Sequence, residues 1–423
     1  MEYQPAAWAI APFGLLLALI AMGPLFFEHW WLKHYSKVAI SLAVVVLAYY
    51  FLGLPASARH TVEHTALEYV SFIVLIGSLY IVSGGIHISV KGEATPWANV
   101  VFLLIGAMMA NLLGTTGASM LLVRPWLRMN KYRVTAHHVA FFILIVSNVG
   151  GCLTPIGDPP LFLGYLKGVP FWWVIKHCWP MWLTGVGFLL VAFYFVDRRN
   201  FLKAPARIRE ELAEPRDEWR VDGWGNVGFL ALILIAVFIQ SPPFLREGLM
   251  IAAALGSWFT TRKEIHHSNR FDFHPLKEVT VLFIGIFATM MPALDLLKAN
   301  AAQMPSSTTF FFFGTGLLSA VLDNAPTYLG FLSAAAGTSM DNPAALAARV
   351  SEPQFTEVLL AISIAAVFFG ACTYIGNGPN LMVKAIADRQ KVHSPSFLGF
   401  IVRFTLPFMV PMILIVWWLF FRG

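Results

Sequence analysis

Two acids, Asp158 and Asp323, stand inside long apolar stretches, among small, hydroxyl and amide residues rather than among other charges. Asp158 closes SNVGGCLTPIGD, residues 147–158, together with Ser147, Asn148 and Thr154. Asp323 opens DNAPT, residues 323–327, with Asn324 and Thr327. Two further stretches have the same character: GTTGAS (114–119) carries Thr115, Thr116 and Ser119, and GACTYIGNGPNL (370–381) carries Thr373, Asn377 and Asn380. Hydroxyl, amide and freed carbonyl oxygens can replace the hydration shell of a hard monovalent cation, and helix C-terminal ends add partial negative charge. Helix N-terminal ends have the opposite character and could hold a carboxylate. None of the four stretches contains Lys, Arg or His. An unpaired carboxylate in apolar surroundings must take a proton or a metal ion, and two ligands competing for one group is the chemistry of exchange.

Other roles for these residues are open. Asp158 before Pro159 and Pro160 fits a helix N-cap, as does Asp323 before Asn324 and Pro326. Thr115 and Thr116 could simply satisfy carbonyls at a helix end. His87, Asp295, Glu68 and Glu278 fall near the ends of apolar runs and are expected at the interface or in solvent. No nucleophile elbow, Walker loop, HExxH or CxxC is present, so the chain is not expected to be an enzyme, and no cofactor is called for. Cys152, Cys178 and Cys372 have no metal spacing and read as small buried residues.

The elements that must position these residues are membrane spans. Hydrophobic residues make up 58% of the 423 positions and charged residues 12%, far below the roughly 25% charged of soluble domains. Apolar runs at about 7–27, 36–54 and 67–89 are long enough to cross, and the first reads as a retained helix. The run after Thr95 is interrupted at 114–119 and resumes only briefly before Arg124 and Arg128, so it reads as a re-entrant hairpin. A span broken at 153–160 and a crossing at 171–196 complete the first unit. The same order recurs at 225–241, 245–261, 276–297, a hairpin at 305–337, a broken span at 355–386 and a crossing at 397–421.

The two breaks align without a gap, Thr154 on Thr373, Gly157 on Gly376 and Asp158 on Asn377. An offset of 208 places TTGAS (115–119) on DNAPT (323–327). Paired Gly/Pro interruptions in two halves of a membrane chain point to the binding site of a secondary transporter. The fold expected is an all-α polytopic membrane protein of two repeats, 1–197 and 223–423, joined by a cytoplasmic linker, 198–222. With five crossings and one hairpin each, the second repeat must be inverted. Within each half the tip and the break should meet, giving two polar clusters. With both termini outside, 22 of the 29 Lys and Arg fall inside, in accord with the positive-inside rule. The net charge of +6 is thus one of orientation, and no basic patch interleaved with aromatics suggests nucleic acid.

TPIGDPP, DNAP and the TTGAS tip resemble the ion transporter superfamily, and within it the NhaD-type sodium/proton antiporters and their citrate-transporter relatives. The resemblance implies an inverted repeat with two re-entrant hairpins, a transport domain moving in an elevator-like cycle, and a homodimer. It further implies that the acid after the break, Asp158 here, and an Asp-Asn pair at a hairpin tip, Asp323 and Asn324, handle the cation. The expected activity is exchange of Na+ or Li+ for H+ across a bacterial inner membrane. The alternative is cation-coupled carriage of citrate or another carboxylate, for which a cation such as Arg124 or Arg128 would be needed near the site.

Overall fold

A computed structural model describes residues 3–89, 95–203, 220–239, 241–300, 303, 305 and 307–422. Of the linker expected at 198–222, residues 204–219 lie outside the described residues. The first half contains α1 (Ala11–Phe26), α2 (Glu28–Ala48), α3 (Ala58–Gly84), α4 (Pro96–Met129), α5 (Ala136–Ile145), α6 (Pro159–Lys167) and α7 (Phe171–Lys203). The second contains α8 (Gly225–Val237), α9 (Leu245–Thr260), α10 (His274–Ala299), α11 (Thr308–Ser319), α12 (Asn324–Ala336), α13 (Pro353–Gly370), α14 (Gly378–Arg389) and α15 (Phe397–Phe420). Among the described residues eight helices are long and apolar enough to cross a membrane. The chain is a multi-pass membrane protein. The helices found where crossings are expected at 225–241 and 245–261 have 13 and 16 residues and are not among these eight.

α4 is a hairpin, although its helical residues are nearly continuous. A straight helix would separate Asn99 from Asn130 by about 46 Å, yet their amides bond reciprocally at 2.8 and 3.0 Å. Phe102 and Trp126 stack at 5.4 Å across the two arms. The reversal falls at Gly114, whose φ of 71° and ψ of 156° suit only a residue without Cβ. Thr95 caps the first arm by accepting from Ala98 N at 3.1 Å, and Pro96 takes the position where its missing N–H costs nothing. α11 and α12 form the second hairpin, with Phe311 against Phe331 at 6.3 Å and a turn over residues 320–323.

Both broken spans unwind where Gly and Pro cluster. α5 gives way to a tight turn, Val149–Leu153, and then a second turn closed by Gly157 N donating to Thr154 O at 3.0 Å, before Asp158, where α6 begins. α13 ends at Gly370 and α14 begins at Gly378. Unwound backbone inside a membrane persists only when its polar groups are satisfied by protein or face a polar cavity. Here they are satisfied by the hairpins, in the same way twice. Thr154 Oγ1 donates to Asn111 O at 2.7 Å, and Thr373 Oγ1 donates to Ala320 O at 2.6 Å. Gly157 N donates to Thr154 Oγ1 and Gly376 N to Thr373 Oγ1, both at 3.1 Å. Thr115 N donates to Gly157 O at 2.8 Å, and Asn324 N to Gly376 O at 3.2 Å. These paired bonds set Thr115 opposite Asn324, one residue away from the register of Thr115 on Asp323 expected from the sequence. The same shift relates Asn111 to Ala320, whose carbonyls the two threonines reach, so it is present before the tip as well as after it.

α3 and α10, the third long spans of the two halves, pack antiparallel through Phe72, Phe283 and Phe287, with ring distances of 4.8 and 5.6 Å. Tyr80, near the end of α3, donates to Asp272 O just before α10 at 2.6 Å. One feature is not helical: His87–Ser89 pairs antiparallel with Arg220–Asp222, pinning the far end of the linker beneath α3. α7 also runs to Lys203, past the boundary expected at 197, because Asp197 is held in the interior rather than in a solvated loop.

Candidate functional site

The two polar clusters expected from the sequence are one. Asp158 has no exposed surface, and its carboxylate does not cap α6. It turns instead toward both hairpin tips and the opposite break. Thr115 Oγ1 donates to its Oδ1 at 2.7 Å, Asn377 Nδ2 to the same oxygen at 3.0 Å, and Asn324 Nδ2 to Oδ2 at 2.6 Å. The donors come from the first tip, the second break and the second tip. The break equivalents Asp158 and Asn377 thus meet at the centre of the molecule.

A second layer holds these groups. Asn377 Nδ2 also lies within bonding distance of Asn148 Oδ1, at 3.1 Å, and of Ser147 O, at 3.2 Å. Asn148 Nδ2 donates to Asn380 Oδ1 at 2.7 Å and to Ile143 O at 2.8 Å. Asn380 in turn donates to Gly370 O and Thr373 O, both at 2.9 Å, satisfying carbonyls freed by the second break. Ser119 and Ser147 share a hydroxyl bond of 2.7 Å. A buried network of this kind fixes geometry when every member is satisfied. One atom stands out: Asn324 Oδ1 is buried with no hydrogen-bond partner among the described residues.

Not every candidate joins the centre. Asp323 caps its own helix, accepting from Ala325 N at 3.1 Å, and Thr327 donates to Asp323 O at 2.9 Å. Thr154 and Thr373 spend their hydroxyls on hairpin carbonyls. Thr116 lines a narrow, mostly apolar crevice between the first tip and α3, walled by Phe72, Leu75, Ile76 and Leu79. Thr115 borders this crevice and bonds Asp158, so it stands between the two.

The donor set has a chemical consequence. The three groups bonded to Asp158 are neutral, and no Lys, Arg or His is bonded to it among the described residues. Asp158 Oδ2, Asn324 Oδ1 and Thr115 Oγ1 are oxygens of the kind a hard monovalent cation takes, and the carboxylate can alternatively carry a proton. A free carboxylate placed at this point would face Asp158 without a compensating cation.

Sequence reasoning missed two groups. Asn111, in the first hairpin, ties tip to break: its Nδ2 donates to Gly150 O at 2.7 Å and its Oδ1 accepts from Leu153 N at 2.8 Å. An amide in an otherwise apolar arm was the available signal. At the root of the same hairpin, Asp197 is fully buried and accepts from both terminal guanidinium nitrogens of Arg133, the Nη2 bond measuring 2.8 Å. Asn99 Nδ2 at 2.9 Å and His137 Nε2 at 3.1 Å complete the shell. His138 Nε2 also lies 3.2 Å from Asp197 Oδ1, but not aligned as a hydrogen bond. With Arg133 occupying both carboxylate oxygens, this is a structural ion pair rather than a cation site.

Glu68 and Asp295, expected near solvent, are also buried. Lys167 meets Glu68 at 2.7 Å, while Tyr50, Tyr3 and Lys298 meet Asp295 at 2.8, 3.0 and 3.2 Å. Lys167, Lys298 and Asp295 border a cavity of about 420 Å³ at the end of the molecule where α3 begins. His87 bonds Asn269 at 2.7 Å at the other end.

A family model described as "Putative citrate transport" matches residues 2–421. The chain is 24% identical over 393 residues to an uncharacterized transporter of Mycobacterium tuberculosis (strain ATCC 25618 / H37Rv), covering 84% of this chain and 86% of that protein. A transporter of Mycobacterium bovis (strain ATCC BAA-935 / AF2122/97), also described as uncharacterized, matches to the same extent. A 46 kDa membrane protein of Mycobacterium leprae (strain TN) is 24% identical over 318 residues, 70% of this chain and 71% of that protein.

Proposed function

The chain belongs to the family described as "Putative citrate transport", and from that premise and the Asp158 site we propose a secondary active transporter exchanging Na+ or Li+ for H+. The observation that carries this reading is a fully buried carboxylate held only by neutral donors contributed from both halves. Cation and proton compete for Asp158, and that competition couples the two fluxes. Asp323 caps a helix and takes no direct part. Antiparallel α3 and α10 and the duplicated tip-to-break bonds support an inverted repeat. In the cycle proposed, the hairpins and broken spans move together against α3 and α10, in an elevator-like manner, within a homodimer. The protein sits in a bacterial inner membrane with both termini outside, as the basic-residue bias supports.

A second reading, cation-coupled carriage of citrate or a similar carboxylate, is favoured by the family description. It keeps Asp158 as the coupling-ion site and places the anion elsewhere on the tips. Everted vesicles separate the two. Exchange predicts that Na+ alone moves protons and that Asp158→Asn abolishes this movement; a strict requirement for citrate would replace the first reading by the second.

A further inference from the structure

Four arginines converge at the end of the molecule where α3 stops. Arg124 and Arg128 lie on the return arm of the first hairpin, Arg389 at the end of α14, and Arg270 in the loop before α10. Gly117, on the return arm, lies against Ser83 at the end of α3, and this arm and α14 pack together as they run from the Asp158 site toward that end. No carboxylate pairs with any of the four among the described residues. Lys384, on the same helix as Arg389, does have a partner, Asp388 at 2.6 Å. The nearby acid Asp272 is engaged in accepting from His274 N at 3.0 Å. Arg270 moreover holds a φ of 45°, a conformation unfavourable for a residue with a side chain. Its loop is fixed by Asn269 Nδ2, which donates to Gly84 O at 2.9 Å and Ile86 O at 2.7 Å, and by Phe271 against Tyr80 at 5.3 Å. Among the described residues, then, the fold holds four like charges at one end with no ion pair to any of them.

We infer that Arg124, Arg128, Arg270 and Arg389 form a binding site for a phosphate oxyanion, presented by the headgroup of an anionic phospholipid. Guanidinium forks match phosphate oxygens in bidentate fashion, which an ammonium cannot do. The site lies at span ends, where headgroups lie, and Arg124 is half-buried, so its stem can rest on apolar surface while its head faces outward. Three of the arginines ride on the first hairpin and α14, which carry Thr115 and Asn377 or follow directly from it. Arg270 belongs to the loop tied to α3. A headgroup bound among them bridges the elements that bear the Asp158 site to the long span beside them.

The test does not depend on transport, so its outcome is separate from that of the exchange reading. The full chain is reconstituted in nanodiscs of phosphatidylcholine with or without phosphatidylglycerol, and retained lipid is counted by native mass spectrometry. A basic residue near an anionic surface is worth about fivefold in binding. Arg128→Gln with Arg389→Gln, both exposed, should therefore lower retained phosphatidylglycerol about 25-fold, whereas Arg59→Gln at the opposite end should leave it unchanged. Arg270→Gln serves as a second variant should the double substitution fold poorly, with an expected loss of about fivefold. Equal retention in wild type and these variants overturns the inference. If inorganic phosphate, added to phosphatidylcholine nanodiscs, raises thermal stability as much as phosphatidylglycerol does, the ligand is a soluble oxyanion and the lipid assignment is overturned.

Discussion

Asp158→Asn removes the charge at the centre of the site while keeping its shape, and the structure indicates how the fold accommodates it. The new amide can still accept from Thr115 and Asn377 through its oxygen, now at the Oδ1 position. Its nitrogen would face Asn324 Nδ2, which donates to Oδ2 in the native protein at 2.6 Å. Turning over the Asn324 amide brings its unpartnered Oδ1 to that place as an acceptor and restores the pair. Hydrogen bonds to charged groups contribute about 1.5–3 kcal/mol and neutral ones about 0.5–1.5, but the buried charge disappears with them, so the net stability change should stay within about 2 kcal/mol. The effect on cation binding is of another order. A ligand that binds only the folded state stabilises it by about 2.7 kcal/mol at one hundred times its Kd. Thermal unfolding of the purified protein, with Na+ replacing choline at constant ionic strength, should show a rising midpoint for wild type and a flat one for Asp158→Asn. An equal Na+-dependent rise in both proteins would refute the assignment of the cation to Asp158.

Other substitutions separate the roles of neighbouring residues. Asp323→Asn keeps a good N-cap and should leave both stability and Na+-driven proton movement nearly intact, while Asp323→Ala should cost about 1 kcal/mol in unfolding measurements. Gly114→Ala forces a side chain into a glycine conformation with its Cβ 3.3 Å from Ile156 O, and should destabilise by about 1–3 kcal/mol, read as a lower unfolding midpoint. Asp197→Asn removes the charge from the carboxylate that Arg133 grips in the interior. It should cost about 3–5 kcal/mol, visible as lost folded protein in detergent.

Much of this arrangement was legible in the chain. Gly, Pro and hydroxyl residues inside apolar runs marked both breaks and both tips, and the short return before Arg124 marked the first hairpin. What was not legible is which tip faces which break. Local order in the sequence joins Thr115 to Asp158 and Asn324 to Asn377, and both proximities are real, through Gly157 and Gly376. The merging of the two pairs follows from packing one half on the other, where amides of the second half satisfy a carboxylate of the first. Asp197 was hidden for a related reason. It directly precedes Arg198 and Arg199 and reads as the start of a charged loop, whereas its true partner, Arg133, lies 64 positions earlier. The one-residue shift is not made in the turn, because it holds on both sides of the tip, from Asn111 to Ala320 and from Thr115 to Asn324.

Competition of Na+ and H+ for Asp158 is read out by proton movement in everted vesicles on addition of Na+, in the absence of any carboxylate, with wild type and Asp158→Asn side by side. Na+-driven proton flux is expected in wild type and none in the variant. Flux that appears only when citrate is supplied, or that persists in Asp158→Asn, would contradict it.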